Sequence, residues 1–300
     1  MTESGAPPVI AVMAPGEMGA AVAAAYVRAG GKALTVLAGR GAESCARAEE
    51  AGLTACADLD ALVAGCDLFL SIVPPAAAVD LAGAVADAIR RTGAAPGFVE
   101  CNAISPAKVE TIAALFAGTG VAFVDGGIVG MPPGGGGAPN LYVSGADCPA
   151  LMRLDGVSFA IRPLGGTPGA ASAMKMCYAG VTKGVNAVLM SALLTAEGFG
   201  LTEAFMTELS ESQQGLFRRL EVSAPRLHAD AGRWAPEMRE ISASFASRGQ
   251  PGEIHEGAAR LYEILDRSPL GRETRRTLDR SRTAVEAARI IDAHNRGEVE

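Results

Sequence analysis

The chain has 300 residues, 49% hydrophobic and 20% charged, which is ample for a large core and for more than one domain. A formal net charge of −7 and a pI near 5.2 argue against nucleic acid or an anionic membrane as the main partner. Met1 to Pro8 shows no targeting signal, and the apolar runs break before the roughly 18 residues of a membrane span, so a cytoplasmic protein is expected. The 6 cysteines stand singly with no C-x-x-C pair, the pattern of reduced thiols.

In chain order, Val9 to Met13 is an apolar run for a buried strand, Ala14 to Gly19 breaks it with a turn, and Met18 to Ala29 is an Ala-rich helix stopped by Gly30-Gly31. Strand, glycine turn and helix in that order point free N–H groups above the strand, where a pyrophosphate fits. The spacing matches G-x-G-x-x-G with Ala14 in the first place, Gly16 where the backbone meets the phosphates and Gly19 where helix packs on strand. Ala14, Pro15, Gly16, Glu17 and Met18 are therefore candidate cofactor contacts. An ordinary βα turn is the plainer reading.

The second strand, Ala33 to Leu37, runs into Ala38-Gly39-Arg40-Gly41. An acidic residue here would bind a ribose 2′-hydroxyl, and an arginine would accept a 2′-phosphate. No Asp or Glu is present, so Gly39 and Arg40 favour NADP over NAD, against the simpler account of a solvated arginine.

Helix Ala42 to Ala51, a strand near Leu53 to Cys56, a helix N-capped by Asp58, and strand Asp67 to Val73 follow. Pro74-Pro75 open a helix to about Arg91, Gly97 to Cys101 is another strand, Ser105-Pro106 open another helix, and Val121 to Val129 is one more strand. Such alternation means a doubly wound parallel α/β sheet, a Rossmann domain, with Val73-Pro74, Asn102-Ala103 and Gly126-Gly127 lining one crevice with the glycine turn. Met131 to Pro139 contains a run of four glycines and is either a mobile hairpin connection or a lid.

Strands Asn140 to Ser144 and Val157 to Arg162 complete the sheet. The glycine-rich stretch Leu164 to Gly169 gives domains at 1–165 and 166–300, the second all-helical. Its first element, Ala170 to about Ala196, is apolar on nearly all sides, as for a helix buried on most faces. Ser172, Lys175, Thr182 and Asn186 fall near one stripe of it. Lys183 borders that stripe and is equally explained by a stem-buried lysine reaching water. Lys175 stands where the helix passes the crevice. Further helices are expected over Thr202 to Val222, Trp234 to Arg248, Gly257 to Arg267 and Arg272 to Asn295. Trp234, Met238, Ile241 and Phe245 have the spacing of a core face, and the arginines between Arg272 and Arg282 that of a solvated or subunit-facing helix.

These motifs resemble the β-hydroxyacid dehydrogenases together with the 6-phosphogluconate dehydrogenases, over the first domain and the long helix. Glu100-Cys-Asn-Ala-Ile-Ser-Pro106 is similar to the family's D-x-S-T-x-x-P, Asp125-Gly-Gly-Ile-Val-Gly130 to D-A-P-V-S-G-G, and Gly169 to Lys175 to the start of G-x-x-x-K-x-x-x-N. The resemblance implies that Lys175 is catalytic and that the substrate lies near Asn102, Gly126, Gly127 and Val129, in a homodimer. The family's two serines fall on Asn102 and Val129 and its asparagine on Ala179, which implies a differently shaped pocket.

The chemistry such a site needs is a held nicotinamide and one group that moves the hydroxyl proton. Lysine serves if its ordinary pKa of about 10.4 is brought toward 7 to 8. Asn102 offers an amide to the cofactor carboxamide or a substrate oxygen, and the N–H groups near Gly126 and Gly127 a carboxylate site. The expectation is an NADP-dependent oxidoreductase acting on a small hydroxy acid or carbonyl compound. Imine or ketone reduction, and a non-catalytic NADP-binding sensor or scaffold, are the alternatives. The 3 histidines form no H-E-x-x-H and no ligand pair with cysteine, there is no G-x-S-x-G, and Ala14 to Gly19 lacks the Gly-Lys-Ser/Thr of a P-loop, so no metal site, hydrolase elbow or ATPase is expected.

Overall fold

A computed structural model describes residues 6–134 and 137–298. The chain divides into two compact units, Met1–Met176 and Cys177–Glu300, so the division falls inside the long helix rather than in the glycine-rich stretch before it.

The first unit runs β1 (Val9–Met13), α1 (Glu17–Arg28), β2 (Lys32–Val36), α2 (Ala42–Glu50), β3 (Thr54–Cys56), α3 (Leu59–Ala64), β4 (Leu68–Ser71), α4 (Ala78–Thr92), β5 (Gly97–Glu100), α5 (Pro106–Leu115) and β6 (Phe123–Val129). It closes with β7 (Asn140–Gly145), α6 (Pro149–Met152), β8 (Ala160–Pro163) and the start of α7 (Ala170–Gly198). The sheet order is β3-β2-β1-β4-β5-β6-β7-β8, with β1 to β6 parallel. The order reverses at β1/β4, where sheets of this kind bind ligands. The expectation of parallel strands throughout fails at β7, which returns as a hairpin antiparallel to β6, and β8 runs parallel to it. Gly134 and Gly137 bond to each other in that hairpin, and the other two glycines of the proposed lid lie outside the described residues.

The strands are apolar without alternation because both faces are covered. Ile10, Val12, Leu68, Leu70 and Val99 pack to one side and Ala11, Met13, Phe69, Phe98 and Phe123 to the other. Phe69, Phe98 and Phe123 stand in register across β4, β5 and β6, with centroids 5.5 and 6.0 Å apart. Such offset stacks add to the burial of their area.

The helix that carries Lys175 is anchored by a strand. Asp125 in β6 is fully buried, and its carboxylate accepts from the N–H of Gly169 (2.9 Å), the N–H of Ser172 (3.0 Å) and the hydroxyls of Ser172 (2.6 Å) and Ser144 (3.0 Å). The Ser144 oxygen in turn accepts from the Ala171 N–H at 3.1 Å. An anion at a helix N-terminus also meets the positive end of the helix dipole.

The second unit holds the rest of α7 with α8 (Thr202–Ser212), α9 (Gln214–Ser223), α10 (His228–Ala246), α11 (Glu253–Arg267) and α12 (Ala284–Asn295). Three expectations are corrected here. The helix expected over Thr202 to Val222 breaks at Gln213, whose φ of −137° and ψ of 54° are not helical, next to a Ser212 hydroxyl that bonds the Glu208 carbonyl. The segment 273–283 is no helix: Arg282 binds Glu273, Ser281 folds onto Asp279, and α12 starts only at a capping box formed by Thr283 and Glu286. Finally, α7 is not covered on most faces, for Tyr178, Val181 and Val188 are exposed. By length and composition α7 is the one helix among the described residues that could cross a membrane, yet Asp125 holds its first turn and Tyr262 and Arg219 bond its Lys183 and Thr182 carbonyls.

Replacing Asp125 by Ala strands four buried donors. Hydrogen bonds to a charged group contribute about 1.5–3 kcal/mol each, so Asp125→Ala should lower stability by about 3 kcal/mol or more in urea unfolding followed by circular dichroism. Asp125→Asn keeps one acceptor and should lose less. A loss within about 0.5 kcal/mol for Asp125→Ala, the scale of ordinary surface substitutions, would refute the anchoring role.

Candidate active site

The carboxyl ends of the central strands lie along one edge, because Met13, Ser71, Glu100 and Asp125 stand in register across β1, β4, β5 and β6. The connections that leave this edge are tied to one another: the Ala14 N–H donates to the Ile72 carbonyl (3.1 Å) and the Cys101 N–H to that of Ser71 (3.0 Å).

In the glycine turn, Gly16 is the N-cap of α1 and no side chain caps that helix. A Cβ at Gly16 would meet nothing within 4 Å, whereas at Gly19 it would stand 2.5 Å from the Ala14 oxygen and 3.0 Å from Val12 Cγ1. Gly19 is thus a packing glycine, and Gly16 leaves open backbone beside an uncapped helix start. That is the cradle a pyrophosphate needs, and these residues fit a dinucleotide. Glu17 faces solvent, Pro15 is buried and Met18 packs on the core, so the turn meets a ligand chiefly through its backbone.

Beyond β2 the chain turns through Gly39, whose φ of +74° only glycine adopts readily, and Arg40 follows, exposed. Arg47, the other arginine nearby, is bound to Glu43.

Asn102 has a different task from the one expected. It is 3% exposed, its Oδ1 accepts from the Val73 N–H (2.6 Å) and its Nδ2 donates to Ser71 Oγ (2.9 Å), so the amide clamps the end of β4 to the end of β5. Val73 and Pro74 are held in place by that clamp. Gly126 and Gly127 are also not an open carboxylate site, for both are buried in β6 opposite Val143 and Tyr142. A Cβ at Gly127 would lie 2.7 Å from the Ala171 oxygen and 3.2 Å from Lys175 Cβ. The glycine lets α7 approach β6. Val129, the last residue of β6, is half-buried opposite Asn140.

Lys175 reaches this edge. It is half-buried, and its Nζ donates to the Cys101 carbonyl at 3.2 Å. Glu100, not among the candidate site residues of the sequence, also stands here. Its carboxyl is fully buried, Oε1 accepts from the Asn102 N–H at 2.9 Å, and Oε2 is without a partner among the described residues. Burial pushes its pKa up to about 7, against the opposing pull of the Asn102 N–H, the Ser71 hydroxyl, the Asn102 side chain and the Lys175 charge. Its sequence signals were an acid ending an apolar strand and its place at the head of the segment similar to D-x-S-T-x-x-P.

In the second unit, Lys183 is half-buried and held by other side chains. Its ammonium pairs with buried Glu237 and lies 5.5 Å from the centre of the Trp234 ring, which meets Tyr262 edge-on. Of the rest of the polar stripe, the Ser172 hydroxyl donates to Asp125, the Asn186 side chain accepts from Arg219, and the Thr182 hydroxyl turns back on the Ala179 carbonyl.

Residues 9–154 match the NAD binding domain of 6-phosphogluconate dehydrogenase, and residues 196–265 match a domain of unknown function, DUF1932. The first of these matches makes the N-terminal part of the chain similar to the NAD-binding domain of the 6-phosphogluconate dehydrogenases. Among solved structures, a conserved protein of unknown function described as structurally similar to 3-hydroxyacid dehydrogenases is 28% identical, with 86% of this chain and 96% of that one covered and a TM-score of 0.64. A 3-hydroxyisobutyrate dehydrogenase from Salmonella typhimurium is 17% identical over 94% of this chain and 99% of its own, TM-score 0.64. An imine reductase from Streptomyces aurantiacus is 20% identical over 90% and 98%, TM-score 0.56. No curated protein matches the sequence. The NAD-binding domain thus has a hydroxyacid dehydrogenase-like fold that imine reductases share.

Proposed function

We propose that the protein is an NADP-dependent oxidoreductase that moves a hydride between the nicotinamide and a small hydroxy-acid or carbonyl substrate, with Lys175 as general acid/base. The observation that carries this reading is Lys175 Nζ on the Cys101 carbonyl, which sets an ammonium on the edge that also holds the glycine turn. A bound nicotinamide supplies or accepts the hydride. In reduction Lys175 gives its proton to the developing alkoxide, and in oxidation it takes the hydroxyl proton. With Asn102 closed onto Val73 and Ser71 and Val129 in the serine place, the site has few fixed donors for a substrate carboxylate. That favours ketone or imine reduction as the second reading.

The test is a screen of NADPH oxidation and NADP reduction over carbonyl, imine and hydroxy-acid panels. On whichever substrate turns over, Lys175→Ala should lower kcat by about 10²- to 10⁴-fold. Cofactor affinity should hold. Lys175→Arg should not rescue, because guanidinium keeps its proton near neutral pH. Lys183→Ala should show itself as lost stability, with Glu237 left short of a partner, rather than as lost kcat. Unchanged kcat in Lys175→Ala would remove the mechanism.

The exposed Arg40 supports NADP over NAD. Arg40→Ala should weaken NADPH binding by about 1–3 kcal/mol and leave NADH binding nearly unchanged, read by nucleotide fluorescence titration. Equal wild-type affinity for the two cofactors would overturn the preference.

We further propose a homodimer through the second unit. Its groove of about 740 Å³ is lined by Val188, Phe199, Leu201 and Ile254, with Phe199 75% exposed. An apolar patch of this kind marks an association site, and a self-complementary one gives a two-fold dimer. Sedimentation velocity at micromolar concentration should give a dimer, and Phe199→Asp should shift it to monomer. A wild-type monomer would refute the assignment.

A further inference from the structure

Glu100 and Lys175 are joined through one peptide group. The Cys101 carbonyl accepts from Lys175 Nζ at 3.2 Å, and the N–H on the other side of that same amide, Asn102 N, donates to Glu100 Oε1 at 2.9 Å. Ammonium, amide and carboxyl form a chain of hydrogen bonds in which each bond polarises the next. We infer that Glu100 is a positioning residue for Lys175, holding the peptide on which the ammonium rests and setting, by its own protonation, how firmly that ammonium keeps its proton. The inference deepens the role proposed for Lys175 and assigns a carboxyl to the site.

The surroundings allow this coupling. On β6, Asp125 stands in register with Glu100, but its carboxylate is committed to Gly169, Ser172 and Ser144. On β4, Ser71 brings only a hydroxyl. The Cys101 thiol is fully buried and pushed above its ordinary range, so it stays neutral. The charge that faces Glu100 from α7 is Lys175, and it favours the ionised carboxylate. Coupling is reciprocal, so the ionised carboxylate must favour the ammonium by the same amount. With Glu100 raised to about 7, the carboxyl changes charge in the range where enzymes work. Above that range it holds the ammonium, and below it, as a neutral acid, it loosens its hold.

Glu100→Gln keeps the shape and deletes the charge. The chain has only four lysines, Lys32, Lys108, Lys175 and Lys183, so 13Cε-lysine labelling resolves each titration by NMR without any substrate. Lys175 should titrate about 1 pH unit lower in Glu100→Gln, in line with removal of a nearby opposite charge, while Lys32 and Lys108 stay put. Glu100→Asp should restore the wild-type midpoint, since an Asp carboxylate bonds an N–H two residues on without strain. Should Glu100→Gln fail to fold, Lys175→Met supplies the reciprocal measurement: with 13Cδ-glutamate labelling, the Glu100 midpoint should rise by the same amount. An unmoved Lys175 in Glu100→Gln, or an unmoved Glu100 in Lys175→Met, overturns the coupling. Because these titrations need no turnover, they stand or fall apart from the catalytic role of Lys175, which the kcat of Lys175→Ala decides.

Discussion

The carboxylate of Asp125 accepts hydrogen bonds from both ends of the first turn of α7 and from the Ser144 hydroxyl of β7, without solvent at any of them. A buried anion is costly unless every lone pair is used, and a helix start is costly unless its N–H groups are. Each solves the problem of the other. The position of Lys175 follows, because a side chain one turn beyond Ser172 can point only where that first turn sends it. Gly127 completes the constraint by letting α7 lie against β6 at a distance no Cβ would permit.

Two glycines therefore do the same job at opposite ends of the edge. Gly19 brings α1 down onto the Ala14 carbonyl, and Gly127 brings α7 down onto β6. Between them the Asn102 amide closes the gap from β4 to β5. The site is thus built from close backbone approaches rather than from a crowd of polar side chains. Such a frame fixes the glycine turn and the Lys175 ammonium along one sheet edge.

The strands, the glycine turn and the long helix were legible in the sequence because each carries a local signal: an unbroken apolar run, a break at fixed spacing, a helical period. Lys175 stood out because a charge on an apolar helix needs a reason, and its ammonium lies on the Cys101 carbonyl. What could not be read were contacts made across sequence distance. Asn102 looked like a free amide, since nothing in its neighbours tells that the Val73 N–H stands 2.6 Å away. Gly126 and Gly127 looked like open backbone, since their partners on β7 come back through a glycine run that reads as loop. The start of α12 was readable and was missed: Thr283-Ala-Val-Glu286 is a capping box, and the arginines before it drew the helix too far forward.

The two lysines of α7 show how context divides one residue type into two roles. Lys183 faces a buried carboxylate and an aromatic ring, both of which hold its positive charge, so losing a proton there would cost the ion pair and the cation–π contact together. Lys175 rests on a peptide carbonyl, a dipole that binds the ammonium more weakly than a full charge does. The peptide beneath Lys175 is gripped on its other side by the Glu100 carboxyl, whose pKa burial pushes up to about 7. A structural lysine needs a fixed partner. On this helix Lys183 has such a partner in Glu237, whereas the Lys175 ammonium lies on a peptide whose N–H is held by a buried carboxyl.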